Sequence, residues 1–156
     1  MQPETNPDPP INHTFRQANA ADYEFLYNLN VISLREYIEA TWGWQETWQQ
    51  EYFARKFDPN PRKIIQVNGN DVGVTVVEER DGDLYLALIE LLPTYQGQGI
   101  GTQIIKDLMT QARAEQRPLS LHVLITNTPA LRLYQRLGFE IVADEKIRYK
   151  MTYMVK

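Results

Sequence analysis

Leu91-Leu92-Pro93-Thr94-Tyr95-Gln96-Gly97-Gln98-Gly99-Ile100-Gly101 joins an apolar run at residues 84–92 to a segment whose apolar residues recur at helical spacing. The run is bounded by turns and suits a central strand covered on both faces. After the glycines, Ile100, Ile104, Ile105, Leu108, Met109 and Ala112 fall on one helical face. Thr102, Gln103, Lys106, Asp107 and Gln111 take the other, which is the pattern of a helix lying on a sheet. Three glycines at alternate positions leave no side chain to hold a ligand away, and the helix start adds unpaired N–H groups at the positive end of its dipole. Such a loop is either a pyrophosphate cradle or a tight turn whose glycines serve packing alone. A Rossmann site fails on the spacing, GxGxG instead of GxGxxG, and on the lack of an acid ending the strand at residues 119–125. A Walker loop fails because Thr102 follows Gly101 without the required lysine.

Working outward, Asn68-Gly69-Asn70-Asp71 is a hairpin signal between strands at residues 64–67 and 72–78, and Asp81-Gly82-Asp83 turns the chain into the central strand. Residues 13–17 read as a short first strand. Asn19 caps the next helix, with Asp22 three residues on. Phe25, Leu26, Leu29, Ile32, Leu34, Tyr37 and Ile38 give that helix an apolar stripe, and Gly43 interrupts it. Trp44, Trp48 and Tyr52, at a spacing of four, begin a second helix running to about Phe57, before the breaker Asp58-Pro59-Asn60-Pro61. Beyond the glycine loop, Pro118 stops the helix. Thr128 looks like the N-cap of another, with Pro129 at its first position and Gly138 past its end. Residues 139–142 and 147–154 supply the last two strands. Four prolines in the first ten residues predict a disordered or loosely docked tail over residues 1–12. Residues 13–156 then form one α/β domain without internal repeats, a mostly antiparallel meander feeding one strand–helix–strand unit.

Composition narrows the function. A chain of 156 residues that is 43% hydrophobic and 23% charged fits one soluble domain. No apolar run reaches the roughly 18 residues of a membrane span, and the N-terminus lacks the basic and apolar regions of a secretory signal, so a cytoplasmic protein without a membrane partner is expected. The absence of cysteine excludes disulfides and a thiolate nucleophile, and His13 and His122 are too few and too far apart to suggest a metal site. A net charge of −4 and a pI near 5.2 argue against nucleic-acid binding.

Gln96-Gly97-Gln98-Gly99-Ile100-Gly101 resembles the Q/R-x-x-G-x-G/A signature of the GNAT superfamily of N-acetyltransferases. Asn127-Thr128-Pro129-Ala130-Leu131-Arg132-Leu133-Tyr134-Gln135-Arg136-Leu137-Gly138-Phe139 resembles its second signature, N-x-x-A-x-x-L-Y-x-x-x-G-F. Both stand in the family's order, with a helix and a strand between them. The resemblance covers residues from about 14 to 156. It implies the GNAT fold: an α/β (α+β) domain with a mixed, mostly antiparallel sheet of six to seven strands, helices on both faces, and fourth and fifth strands that splay apart. The pantetheine arm of acetyl-CoA enters that gap. By the same resemblance, amides of Gln96, Gly97, Gln98, Gly99, Ile100, Gly101 and Thr102 bind the pyrophosphate. Backbone groups of Leu91 and Leu92 pair with the arm, and Asn127 and Ala130 line its other side. The acceptor amine attacks the thioester directly in a ternary complex, without a metal, and homodimers are common in the family.

Two proton transfers need owners. Tyr134 matches the family tyrosine that protonates the leaving thiolate; the alternative is a tyrosine packed on the sheet. A thiol with a pKa near 8.5 leaves tolerably unaided, so the expected effect is partial. A lysine-like amine with a pKa near 10.4 is mostly protonated at neutral pH and must lose a proton. Glu90, an acid in an apolar strand, is the candidate base, because burial raises a carboxyl pKa. Strand alternation sets it opposite Leu91 unless a bulge redirects it, and a structural partner for an arginine or a backbone amide is the competing role. Where some relatives carry a basic glutamate, this chain has Tyr85. His122 alternates with Leu121 and Val123, as a half-exposed strand histidine does. A backbone N–H near Leu91 is expected to hold the oxyanion, such a donor being worth about 3 kcal/mol. On the acceptor side, Tyr37, Trp42, Trp44 and Tyr85, with Trp48 nearby, form either aromatic walls for a small-molecule or peptide amine or part of the core. The rival functional class is a non-catalytic acetyl-CoA sensor on the same fold.

Overall fold

The computed structural model describes residues 11–155. The chain lays down β1 (Thr14–Gln17), α1 (Tyr23–Thr41), α2 (Glu46–Lys56), β2 (Arg62–Val67), β3 (Asn70–Glu79) and β4 (Leu84–Leu91). It continues with α3 (Ile100–Glu115), β5 (Leu119–Leu124), α4 (Thr128–Arg136), β6 (Glu140–Asp144) and β7 (Arg148–Tyr153). The seven strands form one sheet in the order β1-β2-β3-β4-β5-β7-β6, antiparallel except between β4 and β5. The expected tail lies outside the described residues except for Ile11 and Asn12, which belong to no helix or strand.

Apolar alternation along the strands explains why helices cover both faces. Ile64, Val74 and Leu88 meet Leu26 and Leu29 of α1 and Phe53 of α2. On the opposite face Ile65, Val67 and Val72 meet Ile100 and Ile104 of α3. Further along that face Leu86, Leu121 and Met151 pack against Ile105 and Met109 of α3 and Tyr134 of α4. The stripe predicted for α3 is the one buried. In α1 the predicted stripe fails at Ile32, which is 53% exposed. The helix meets the sheet there through polar groups instead: Asn30 donates to Glu90 at 3.1 Å, and Ser33 Oγ is buried.

Two helix starts differ from expectation. The α4 helix is capped by Asn127, whose side chain accepts from Ala130 N at 3.3 Å, and Thr128 is already helical. The α2 helix begins at Glu46, leaving Trp44 in the connection, where its indole N–H donates to Glu46 at 2.7 Å. Trp48 and Tyr52 do share a face, with stacked rings 4.9 Å apart, but that face is the outer one, and Phe53 is the buried residue of α2.

The feature that positions the site is the parting of β4 from β5. They pair only at Leu84↔Leu119, Tyr85↔Ser120 and Leu86↔Leu121. Beyond Leu86 the edge of β4 is free of β5, yet both faces stay covered apart from exposed Ala87: Leu88 packs with the α1 cluster and Ile89 and Leu91 with the α3 cluster. A bulge coincides with the parting: Val76 pairs with Leu88 and Val77 with Leu86, so Ala87 is the extra residue. Tyr85 pairs with Glu78 and Glu90 with Val74, two β3 residues on one face. The bulge thus turns Glu90 to the α1 face, which it shares with Tyr85.

Candidate active site

At the wide end of the gap, the loop from β4 to α3 is built on two left-handed glycines, Gly97 with φ 72° and Gly99 with φ 87°. Gln96 and Gln98 fold back, donating to the carbonyls of Leu91 at 2.9 Å and Thr94 at 2.7 Å. Gln103 is the first α3 amide to bond back, to Gly99 O at 2.9 Å, which leaves the amides of Ile100, Gly101 and Thr102 open at the helix start. No lysine or arginine occurs in residues 91–105, so attraction for an anion rests on amides and the helix dipole. Gly101 has no left-handed φ; a Cβ there would sit 3.6 Å from Leu91 Cδ1, an ordinary contact.

Helix α1 bridges the gap. Midway along, it is tied to β4 by Asn30 and Glu90. Near its C-terminal end, Thr126, just beyond β5, donates to Tyr37 O at 3.1 Å, and the Thr41 and Thr126 hydroxyls lie 3.0 Å apart. Ser33 falls between these ties, its buried hydroxyl without a partner among the described residues. Glu90 is 4% exposed, and burial pushes its carboxyl up to about 7, against the opposing pull of Asn30 and Arg62.

At the narrow end, sheet register brings Tyr85 and His122 together. Tyr85 pairs with Ser120, and His122 lies two residues further along the same face. The Tyr85 hydroxyl shares a hydrogen bond with His122 Nδ1. His122 Nε2 lies 2.9 Å from Glu145 Oε2, and the other oxygen of Glu145 accepts from Arg148 at 3.0 Å. The Arg80 guanidinium covers the Tyr85 ring at 3.6 Å. Burial raises the Tyr85 hydroxyl above its ordinary range, while Arg80 and Arg148 pull the other way. His122 is a partly exposed strand histidine, as expected, and it is engaged at both ring nitrogens. Spacing alone could not find this chain, since its members lie 37 and 23 residues apart in sequence.

Tyr134 is buried in the α3–α4 core beside Phe139, and burial pushes its hydroxyl up to about 12. Asn127 uses its side-chain oxygen to cap α4. Among the proposed acceptor aromatics, Trp42 is 60% exposed and Trp44 lies under Arg35 at 5.2 Å, while Tyr37 is half-buried. Glu90 and Tyr85 are not brought together: five residues of strand separate them by roughly 16 Å.

A family model described as the acetyltransferase (GNAT) family matches residues 24–139. N-alpha-acetyltransferase 50 of Danio rerio is 30% identical over 89 residues, which is 52% of this chain and 53% of that protein. The chain spans about half the length of the first curated relatives it matches. Among solved structures, the PaiA N-acetyltransferase of Thermoplasma acidophilum in complex with coenzyme A superposes with a TM-score of 0.74 at 13% identity, over 92% of this chain and 99% of that one. The ribosomal-protein-S18-alanine N-acetyltransferase of Escherichia coli gives 0.61 at 17%, over 93% and 96%. These two likenesses establish the fold.

Proposed function

The chain belongs to the acetyltransferase (GNAT) family, and from that premise we propose that it moves an acetyl group from acetyl-CoA to a primary amine. One observation carries the reading: β4 and β5 part after three residue pairs, between an amide cradle at one end and a Tyr85–His122 pair at the other. In this reading the amides from Gln96 to Thr102 hold the pyrophosphate, and the uncovered edge of β4 up to Leu91, with Leu92 just past it, pairs with the pantetheine arm. A peptide α-amine is the favoured acceptor class, supported by the names of two of the proteins it is similar to, an N-alpha-acetyltransferase and a ribosomal-protein-alanine N-acetyltransferase.

The amine nitrogen forms a bond to the thioester carbon as the carbon–sulfur bond breaks. The proton lost by the amine passes to Tyr85 and His122, and the leaving thiolate takes one from Tyr134. A second reading gives the base role to Glu90, favoured by its burial and its carboxyl near 7, a useful value for a base at neutral pH. Release of free coenzyme A, followed over a panel of peptide and small amines, tests the whole. Tyr85→Phe and His122→Gln should each lower kcat by about a hundredfold or more with acetyl-CoA affinity retained. Glu90→Gln should leave kcat within about twofold; a large loss there, with Tyr85→Phe active, would transfer the base role to Glu90. Tight acetyl-CoA binding with no turnover for any amine would instead favour the sensor.

A further inference from the structure

We propose that Glu145, in the hairpin between β6 and β7, is a positioning residue that puts the proton of His122 on Nε2 and so leaves Nδ1 as the acceptor facing Tyr85. The inference rests on the Tyr85–His122 proton route and extends it. A neutral imidazole has one donor and one acceptor nitrogen, and the partner of one sets the role of the other. An ionised carboxylate only accepts. With Glu145 Oε2 2.9 Å from Nε2, that nitrogen carries the hydrogen, and the Nδ1 lone pair is directed at the Tyr85 hydroxyl. Tyr85 then donates to Nδ1, and its oxygen is free to take the amine proton. As that proton reaches Tyr85, the tyrosine proton moves to Nδ1, and the resulting imidazolium stays paired with Glu145. No other bond changes in this step.

The hairpin is built to hold that carboxylate in place. Asp144 Oδ1 accepts from Lys146 N at 2.9 Å, Lys146 takes φ 78°, and Glu145 N donates to Arg148 O at 2.9 Å. Ile125 N donates to Ile147 O at 3.0 Å, fastening the hairpin to the end of β5 beyond His122. The His122 side chain is 16% exposed and that of Glu145 35%, so the pair sits at the surface with its imidazole side partly covered. The other charged groups around the ring are Arg148, Arg80 over Tyr85 with its partner Glu78, and Lys150, the register partner of His122. All of these cations are donors only, so none can accept from Nε2. The Glu145 carboxyl is held below its ordinary range, first by the His122 bond, which keeps it ionised near neutrality.

The chain has two histidines, so His13→Gln leaves a single ring whose two nitrogens can be followed by 15N magnetic resonance in the intact protein. In that background His122 should show one protonated nitrogen, Nε2, when neutral. Glu145→Ala should shift the ring to a mixture of tautomers and lower kcat by about ten- to a hundredfold, part of what a whole base contributes, with KM little changed. Glu145→Gln, whose amide oxygen can still accept, should keep the tautomer and restore part of kcat. Arg148→Gln should keep it as well. An unchanged Nε2–H form in Glu145→Ala overturns the proposal, whatever the activity. Loss of the tautomer together with unaltered kcat in Tyr85→Phe would leave Glu145 as the positioning residue and remove the proton route instead.

Discussion

Glu90 shows how one buried side chain makes stability depend on pH. Its folded pKa, near 7, stands above the ordinary 4.5, so the folded state binds the proton more tightly than the unfolded chain does. That advantage is fully present below pH 4.5 and is lost as pH rises through 7, a change of about 3 kcal/mol at 1.36 kcal/mol per unit. Glu90→Gln keeps an oxygen for Asn30 and removes the charge. Its stability relative to the parent should therefore improve by about 3 kcal/mol between pH 4 and pH 8, read from urea unfolding at both. A difference that stays flat with pH would show the carboxyl titrating normally. Ser33 supplies a second test, since its buried hydroxyl finds no partner among the described residues. Ser33→Ala should raise stability by about 1 kcal/mol, and a fall of that size would reveal a bond made in solution.

At the scale of elements, the same residue type serves different ends. A Cβ on Gly73 would collide with the carbonyl oxygen of Glu90 and come within 2.8 Å of Leu91 Cδ2. Backbone cannot yield as a side chain does, so Gly73→Ala should destabilise by about 3 kcal/mol or more, measured by thermal unfolding. Nothing lies within 4 Å of a Cβ on Gly99, but its φ of 87° excludes a branched side chain. Gly99→Val should therefore weaken acetyl-CoA binding at least tenfold by calorimetry, while Gly101→Ala, with ordinary contacts, should bind nearly as the parent does. Equal affinities in all three proteins would mean that the loop is not the cradle. Local pattern sufficed for α3, whose buried stripe is continuous. It failed for the start of α2 and the outer part of α1, where aromatic and aliphatic residues at helical spacing face solvent. Periodicity says which residues share a face and leaves open whether that face finds a partner.

For the whole molecule, a ligand that binds only the folded state stabilises it by mass action. Acetyl-CoA at a hundred times its Kd should add about 2.7 kcal/mol and raise Tm by roughly 5–10 °C for a domain of this size. NAD and ATP at the same concentration should not. A shift with NAD alone would contradict the acetyl-CoA reading. The positions of the strands along the chain, the glycine loop and both signatures could be read from the chain because each is encoded within a dozen or so neighbouring residues, through glycine stereochemistry, capping and apolar period. The Ala87 bulge, the three-pair limit on β4 and β5, and the meeting of Tyr85, His122 and Glu145 could not. The bulge is a departure from regular pairing within the β3–β4 hairpin, and the other two arise from register between strands far apart in sequence, which no local period encodes, so only the tertiary structure decides which polar side chains share the vertex of the gap.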